Sequence, residues 1–176
     1  MNYKVYIDFD GVILDTWNFI FSKYVEKYKT EEILEYKIKQ IMTELGWSQI
    51  LKNSDVIQDS ISKIQKLIEK YEVFILTKIN SLEESIEKEK FLHNYGIYKI
   101  ICVPYEDNKS DFVNPMNSIL IDDDLNNLDD WAKKGGKSLF FQKDLKSIDS
   151  YGRVNTKYKI INNLEQINDI INSSSI

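Results

Sequence analysis

Short apolar runs, each closed by polar or turn-forming residues, recur along this chain, and stretches with helical periodicity separate them. The runs occupy residues 5–9, 73–76, 100–103, 118–121 and 138–141, with a possible edge run at 158–161. Strands that are apolar throughout are buried on both faces. Alternation with helices supplies the crossovers that parallel pairing requires. The chain is therefore expected to be α/β, with a parallel sheet covered on both faces. In such sheets ligands bind beyond the carboxyl ends of the strands. Those ends carry Asp8 and Asp10, Thr77 with Lys78, a loop around Lys109, and Asp122, Asp123 and Asp124. Acids, a hydroxyl and a cation thus converge on one rim.

The intervening segments read mostly as helices. Asp15 or Thr16 can cap a helix over 17–28, with Ile20, Tyr24 and Val25 as its apolar stripe. Thr30 can cap a second through Ile33, Ile38, Ile41 and Leu45, which Gly46 breaks before Trp47, Ile50 and Leu51. Ile57, Ile61, Ile64 and Ile68 predict a continuous helix over 55–70. Ser81 with Glu84 forms a capping-box pattern ahead of a helix that ends at Gly96. Leu125, Leu128 and Trp131 mark another, and Asn163 with Gln166 opens the last. Residues 143–156 read as loop, and the terminal serines should fray. The helical block over 15–51 exceeds what one crossover needs, so it is expected to be an insertion, with 1–14 and 52–176 forming the core.

At 176 residues the length suits one domain with such an insertion. The net charge of −5 argues against a surface for extended nucleic acid or anionic membrane, though a single nucleotide remains compatible. Arg153 is the only arginine, so anion binding must lean on lysine and metal. Cys102 alone cannot form an internal disulfide, and the first residues run straight into a strand, so a reducing, cytoplasmic setting is expected. No apolar run approaches membrane-spanning length. His93, the one histidine, reads as a surface or capping residue.

In the first strand, period two puts Asp8 and Asp10 on one side. Two carboxylates that close repel, and a divalent cation removes the conflict. Mg²⁺ prefers oxygen ligands and leaves room for a substrate phosphate.

The segment Asp8-Phe9-Asp10-Gly11-Val12-Ile13-Leu14-Asp15 resembles the first motif of the haloacid dehalogenase (HAD) superfamily of phosphohydrolases. Thr77, Lys109 and Asp122-Asp123 follow in the order of that superfamily's later motifs, so the resemblance spans residues 8–141. It implies a three-layer Rossmann-like sheet whose 15–51 insertion is a cap over the active site. It implies a Mg²⁺-dependent phosphomonoester hydrolase, with Asp8 as nucleophile forming an aspartyl-phosphate. Asp10 would be general acid and base, its main-chain carbonyl also binding metal. Thr77 would donate to a phosphoryl oxygen, and Lys109 would neutralise the phosphate and the aspartate pair. Asp123 would ligate Mg²⁺, with Asp122 behind it or in its place. Gly11, Trp17 and Lys78 are the candidates for substrate contact. Of the superfamily's branches, the sequence looks most like the 5′(3′)-deoxyribonucleotidases, so a small phosphate ester, a nucleotide above others, is the expected partner. It departs from that branch in having Thr16 before Trp17 and Lys78-Ile79 after Thr77. Phosphatases of sugar phosphates or of nucleic-acid 3′-phosphate ends, and a non-catalytic phosphate-binding module, are the alternatives. Replacing Lys109 with alanine is expected to lower turnover and leave stability nearly untouched.

Overall fold

The computed structural model describes residues 4–143 and 157–173. Most of the expected loop over 143–156, Ser174, Ser175 and Arg153 lie outside the described residues. β1 (Lys4–Ile7) sits at the centre of a six-stranded, wholly parallel sheet. On one side lie β2 (Glu72–Ile79) and β3 (Ile100–Pro104). On the other lie β4 (Ser118–Asp122), β5 (Lys137–Phe141) and β6 (Lys159–Ile161). The chain leaves β1 for β2 and returns past it to β4, so the strand order reverses at β1, where an open α/β sheet forms its ligand crevice. Ile7 lies beside Ile75 and Ile121. The Asp8 amide extends the ladder by donating to the Ile121 carbonyl at 2.9 Å.

Alternation along the strands divides the core in two. Val5, Ile7, Val73, Ile75, Ile119 and Ile121 pack with Ile61, Ile64 and Leu67 of α4 (Ser60–Ile68). The other face buries Tyr6, Leu76, Leu120 and Phe140 against Leu128 and Trp131 of α7 (Leu125–Lys133). Each fully buried aliphatic side chain contributes roughly 1.5–3 kcal/mol. The three layers are those expected from the sequence. α5 (Leu82–His93) follows β2, and the single turn α6 (Lys109–Phe112) follows β3. The last helix, α8 (Gln166–Asn172), starts where Gln166 accepts from the amides of Asn162 and Asn163. His93 ends α5, exposed, with its ring against Tyr98.

Between β1 and α4 run α1 (Thr16–Tyr28), α2 (Glu35–Leu45) and α3 (Trp47–Asn53). They pack on one another, and Ile20, Tyr24, Ile38, Trp47 and Ile50 join the same cluster as the sheet's first face. The segment leaves and re-enters the core through two stretches bonded side by side. Asp15 donates to the Asp55 carbonyl and Ile57 to the Ile13 carbonyl, both at 2.9 Å, around a bridge between Leu14 and Val56.

Two helix expectations are corrected. The second helix starts at Glu35, not after Thr30, because the Tyr24 hydroxyl donates to the Glu32 carbonyl and accepts from the Leu34 amide, which holds that stretch extended. The helix expected over 55–70 is broken: a 3₁₀ turn at Ile57–Asp59 carries left-handed Gln58 and Asp59 before α4 begins. The pairing of Val56 with Leu14 and the Ser60 hydroxyl bond to the Ile13 carbonyl pin this stretch to the core.

Candidate active site

Beyond β1 the chain closes a tight turn. The Phe9 carbonyl accepts from Ile13 and Leu14, and Gly11 donates to the Leu14 carbonyl at 2.8 Å. Gly11 has φ +74°, and a Cβ there would come within 1.9 Å of an Asp123 carboxylate oxygen. Glycine is thus required twice, by conformation and by the approach of the fourth strand's loop. This turn brings Asp8, Asp10 and Asp123 to the wall of one cavity of about 450 Å³.

Lys109 lies on that wall. Its buried ammonium lies 2.6 Å from Asp8 Oδ1 and 2.7 Å from Asp122 Oδ2. The same Asp122 carboxylate accepts from the Asp124 amide at 2.9 Å and from Asn127 Nδ2 at 3.2 Å. Asp122 is therefore fully engaged and buried, whereas Asp123 stands at the exposed rim beside Gly11. Asp124 caps α7 by accepting from the Asn126 amide. Burial holds the Asp8 carboxyl well above its ordinary range; Lys109 pulls it down, and Asp122 and Asp10 push it up. The Asp123 carboxyl, close against Gly11, is raised by its loss of surrounding water and then by Asp8 and Asp122. The Lys109 ammonium is held above its ordinary range because Asp122 and Asp8 outweigh the opposing effect of burial.

Carboxylates left this short of positive charge suit a cation. Oxygens of Asp8, Asp122 and Asp123 lie within 4.8 Å of one another. An all-carboxylate donor set fits a hard divalent ion such as Mg²⁺. Asp8 and Asp123 are the members that face the cavity, while Asp122 is committed to Lys109 and Asn127.

Asp10 belongs to a second cluster that sequence reasoning missed. Its Oδ1 accepts from the Thr16 hydroxyl at 2.7 Å, and its Oδ2 from the ammonium of Lys88 at 2.6 Å. Lys88, on α5, is wholly buried, and also lies 2.7 Å from Glu84, 3.1 Å from Thr77 Oγ1 and 3.1 Å from the Lys78 carbonyl. The rings of Trp47 and Phe9 flank it at 5.0 and 5.2 Å. Burial alone would lower its pKa, but Asp10 and Glu84 more than offset this and hold it above the ordinary value. The signal in the sequence was the (i, i+4) pair Glu84–Lys88, placed on the same buried stripe as Ser85 and Leu92. Glu84 was assigned only to the cap. It does accept from a main-chain amide, that of Asn80 and not Ser81, while the Ser81 hydroxyl accepts from the Glu84 amide.

The remaining candidates separate. Gly11, Trp17, Lys78 and Lys109 share the cavity wall with Asp8, Asp10 and Asp123. Thr77 does not reach it: it is fully buried, its hydroxyl accepting from Lys88 and donating to the Lys78 carbonyl. Trp17 is half exposed and stacks on Phe21, whereas Trp47 is buried. With Ile20, Ile38 and Met42 these tryptophans supply apolar lining to the cavity, which Lys78 and Tyr105 also line.

The class of fold is that of the HAD hydrolases, as solved structures show. A haloacid dehalogenase-like family hydrolase from Streptococcus pneumoniae superimposes with a TM-score of 0.68 at 12% identity, over 97% of this chain and 98% of its own. The HAD-hydrolase YfnB from Bacillus subtilis, solved bound to magnesium, gives 0.64 at 12%, over 97% and 99%. A D,D-heptose 1,7-bisphosphate phosphatase from Burkholderia thailandensis gives 0.57 at 14%, over 97% and 99%. No protein-family model and no curated protein matches the sequence. Among the described residues, no helix is long and apolar enough to cross a membrane.

Proposed function

We propose that the protein is a Mg²⁺-dependent phosphomonoester hydrolase that works through an aspartyl-phosphate, with a nucleotide as its preferred substrate. The observation that carries this reading is the meeting of Asp8, Asp10, Lys109 and Asp123 at the wall of one cavity. Asp8, Asp123 and the Asp10 carbonyl would hold Mg²⁺, which when bound supplies charge neutralisation for the phosphoryl group. An Asp8 oxygen attacks phosphorus while the bond to the leaving oxygen breaks, and Asp10 gives that oxygen its proton. Asp10 then takes a proton from a water whose oxygen attacks the same phosphorus. The acyl-phosphate bond breaks, phosphate leaves, and Asp8 and protonated Asp10 are restored. Lys109 holds Asp8 by one oxygen, fixing the direction of attack and offsetting developing charge.

Residues 15–51 act as the cap, and the exposed face of Trp17 within it offers a base a stacking surface. Stacking on an aromatic ring contributes about 1–3 kcal/mol, enough to prefer nucleotides over phosphosugars. Lys78 offers a charge on the same wall. Phosphate release, with and without Mg²⁺, from nucleotides, sugar phosphates and 3′-phosphorylated oligonucleotides tests the reading. Mg²⁺-dependent turnover highest on a nucleotide is expected. No turnover on any ester would refute the hydrolase, and a phosphosugar optimum would refute the nucleotide preference.

A further inference from the structure

The cluster around Lys88 has no part in the chemistry just described, yet it grips the residue given the proton. Resting on Asp10 as the proton donor, we infer that Lys88 is a positioning residue for Asp10, anchored by Glu84, that sets the carboxyl group in line with the leaving oxygen. Asp10 needs such a partner. It follows the end of β1 in a turn, and its side chain is about one-third exposed (34%), so packing does not fix its rotamer. Two donors do, one per oxygen: the Thr16 hydroxyl and Lys88. They differ in what holds them. Thr16 is the first residue of α1, so its hydroxyl belongs to the inserted helices. Lys88 is fixed from the core side, by Glu84 one turn earlier on α5 and by the Thr77 hydroxyl and Lys78 carbonyl of β2. An ammonium has three protons and no acceptor. Four oxygens compete for those protons, so its position is tightly determined. Lys88 therefore ties Asp10 to β2 and α5 of the core.

A purely structural account explains less. A buried ion pair is weak evidence for stability, since well-packed apolar residues of similar volume often serve as well. If stability alone were at stake, Glu84 would suffice as the partner of Lys88. The contact with a half-open cavity acid, at 2.6 Å, points to placement of that acid.

The test uses the double variant E84Q/K88M, which removes both charges together and leaves neither buried ion unpaired. The readout is kcat/KM with Mg²⁺ for p-nitrophenyl phosphate, whose leaving group needs no proton, and for phenyl phosphate, whose leaving group does. General acid catalysis contributes about 10²–10⁴-fold, so a misplaced Asp10 should cost phenyl phosphate about tenfold or more beyond any loss on the nitrophenyl ester. Equal losses on the two esters, or none, would overturn the role of Lys88 while leaving the hydrolase intact. Wild-type protein inert to both esters would overturn the hydrolase and this role with it. If E84Q/K88M does not fold, E84Q/K88Q keeps hydrogen bonding inside the cluster, is too short to reach Asp10, and carries the same comparison.

Discussion

Replacing Lys109 with methionine removes a charge and little volume, and its consequence runs against the expectation drawn from sequence. Lys109 is buried and lies between Asp8 and Asp122, at 2.6 and 2.7 Å. Asp122 is itself fully buried and Asp8 nearly so. Breaking a buried pair by removing one partner costs about 3–5 kcal/mol, because a charge is left without compensation. In a domain of this size each kcal/mol shifts Tm by about 2–4 °C, so the metal-free variant should melt about 6–20 °C below wild type near neutral pH. The pH dependence follows from Asp8. Burial already raises its carboxyl, and Lys109 opposes the rise. Without Lys109 the folded state keeps that proton still more tightly than the unfolded chain does. Stability is then lost as pH climbs from the ordinary carboxylate value, about 4, toward the raised folded value. The gap in Tm should narrow at about pH 5, where the folded variant retains the proton. Circular-dichroism melts in EDTA at both pH values measure this. A variant within about 2 °C of wild type near neutrality would refute the argument from burial.

Three further outcomes are expected. Gly11→Ala puts a methyl against Asp123 and forces a left-handed alanine, so stability should fall by about 1–2 kcal/mol. Its Mg²⁺ affinity by calorimetry should drop about tenfold or more, and unchanged affinity would remove Asp123 from the metal site. With p-nitrophenyl phosphate, Asp10→Asn should give a burst, covalent phosphate and a slow steady state, and Asp8→Asn neither; an adduct retained in Asp8→Asn would displace the nucleophile. Trp17→Ala should raise KM for a nucleotide about fivefold or more and leave Tm alone. Trp47→Ala, which empties a core position, should cost about 3–5 kcal/mol; a Tm loss at Trp17 like that at Trp47 would end its assignment as a stacking face.

Much of this architecture could be read from the chain because strand ends are legible. Apolar runs closed by acids fixed the rim, and a parallel sheet brings Asp8, Asp10, Lys109 and Asp123 together whatever the details of the crossovers. The division of labour between Asp122 and Asp123 was not legible, since it depends on which carboxylate meets Lys109 and Asn127. Lys88 was hidden by composition. It lies within Glu83, Glu84, Glu87, Lys88, Glu89 and Lys90, where exposed Lys90 looks the same until the buried stripe of α5 is known. The broken helix before α4 and the late start of α2 both come from contacts distant in sequence, with Leu14 and with the Tyr24 hydroxyl. Propensity carries no trace of these.

The paired exit and entry around Leu14 and Val56 bears on how such a protein can change its substrate. The whole segment between those residues leaves and re-enters the chain's core at one junction, where its ends meet edge to edge. A different set of helices could be spliced there without altering the register of a single strand. The replacement has to bring its own apolar face, because Ile20, Tyr24 and Ile50 close the same cluster that β1 and β2 open, and a hydroxyl in place of Thr16 to hold Asp10. Grafting at this junction is therefore a route to new specificity that leaves the strand ends where they stand.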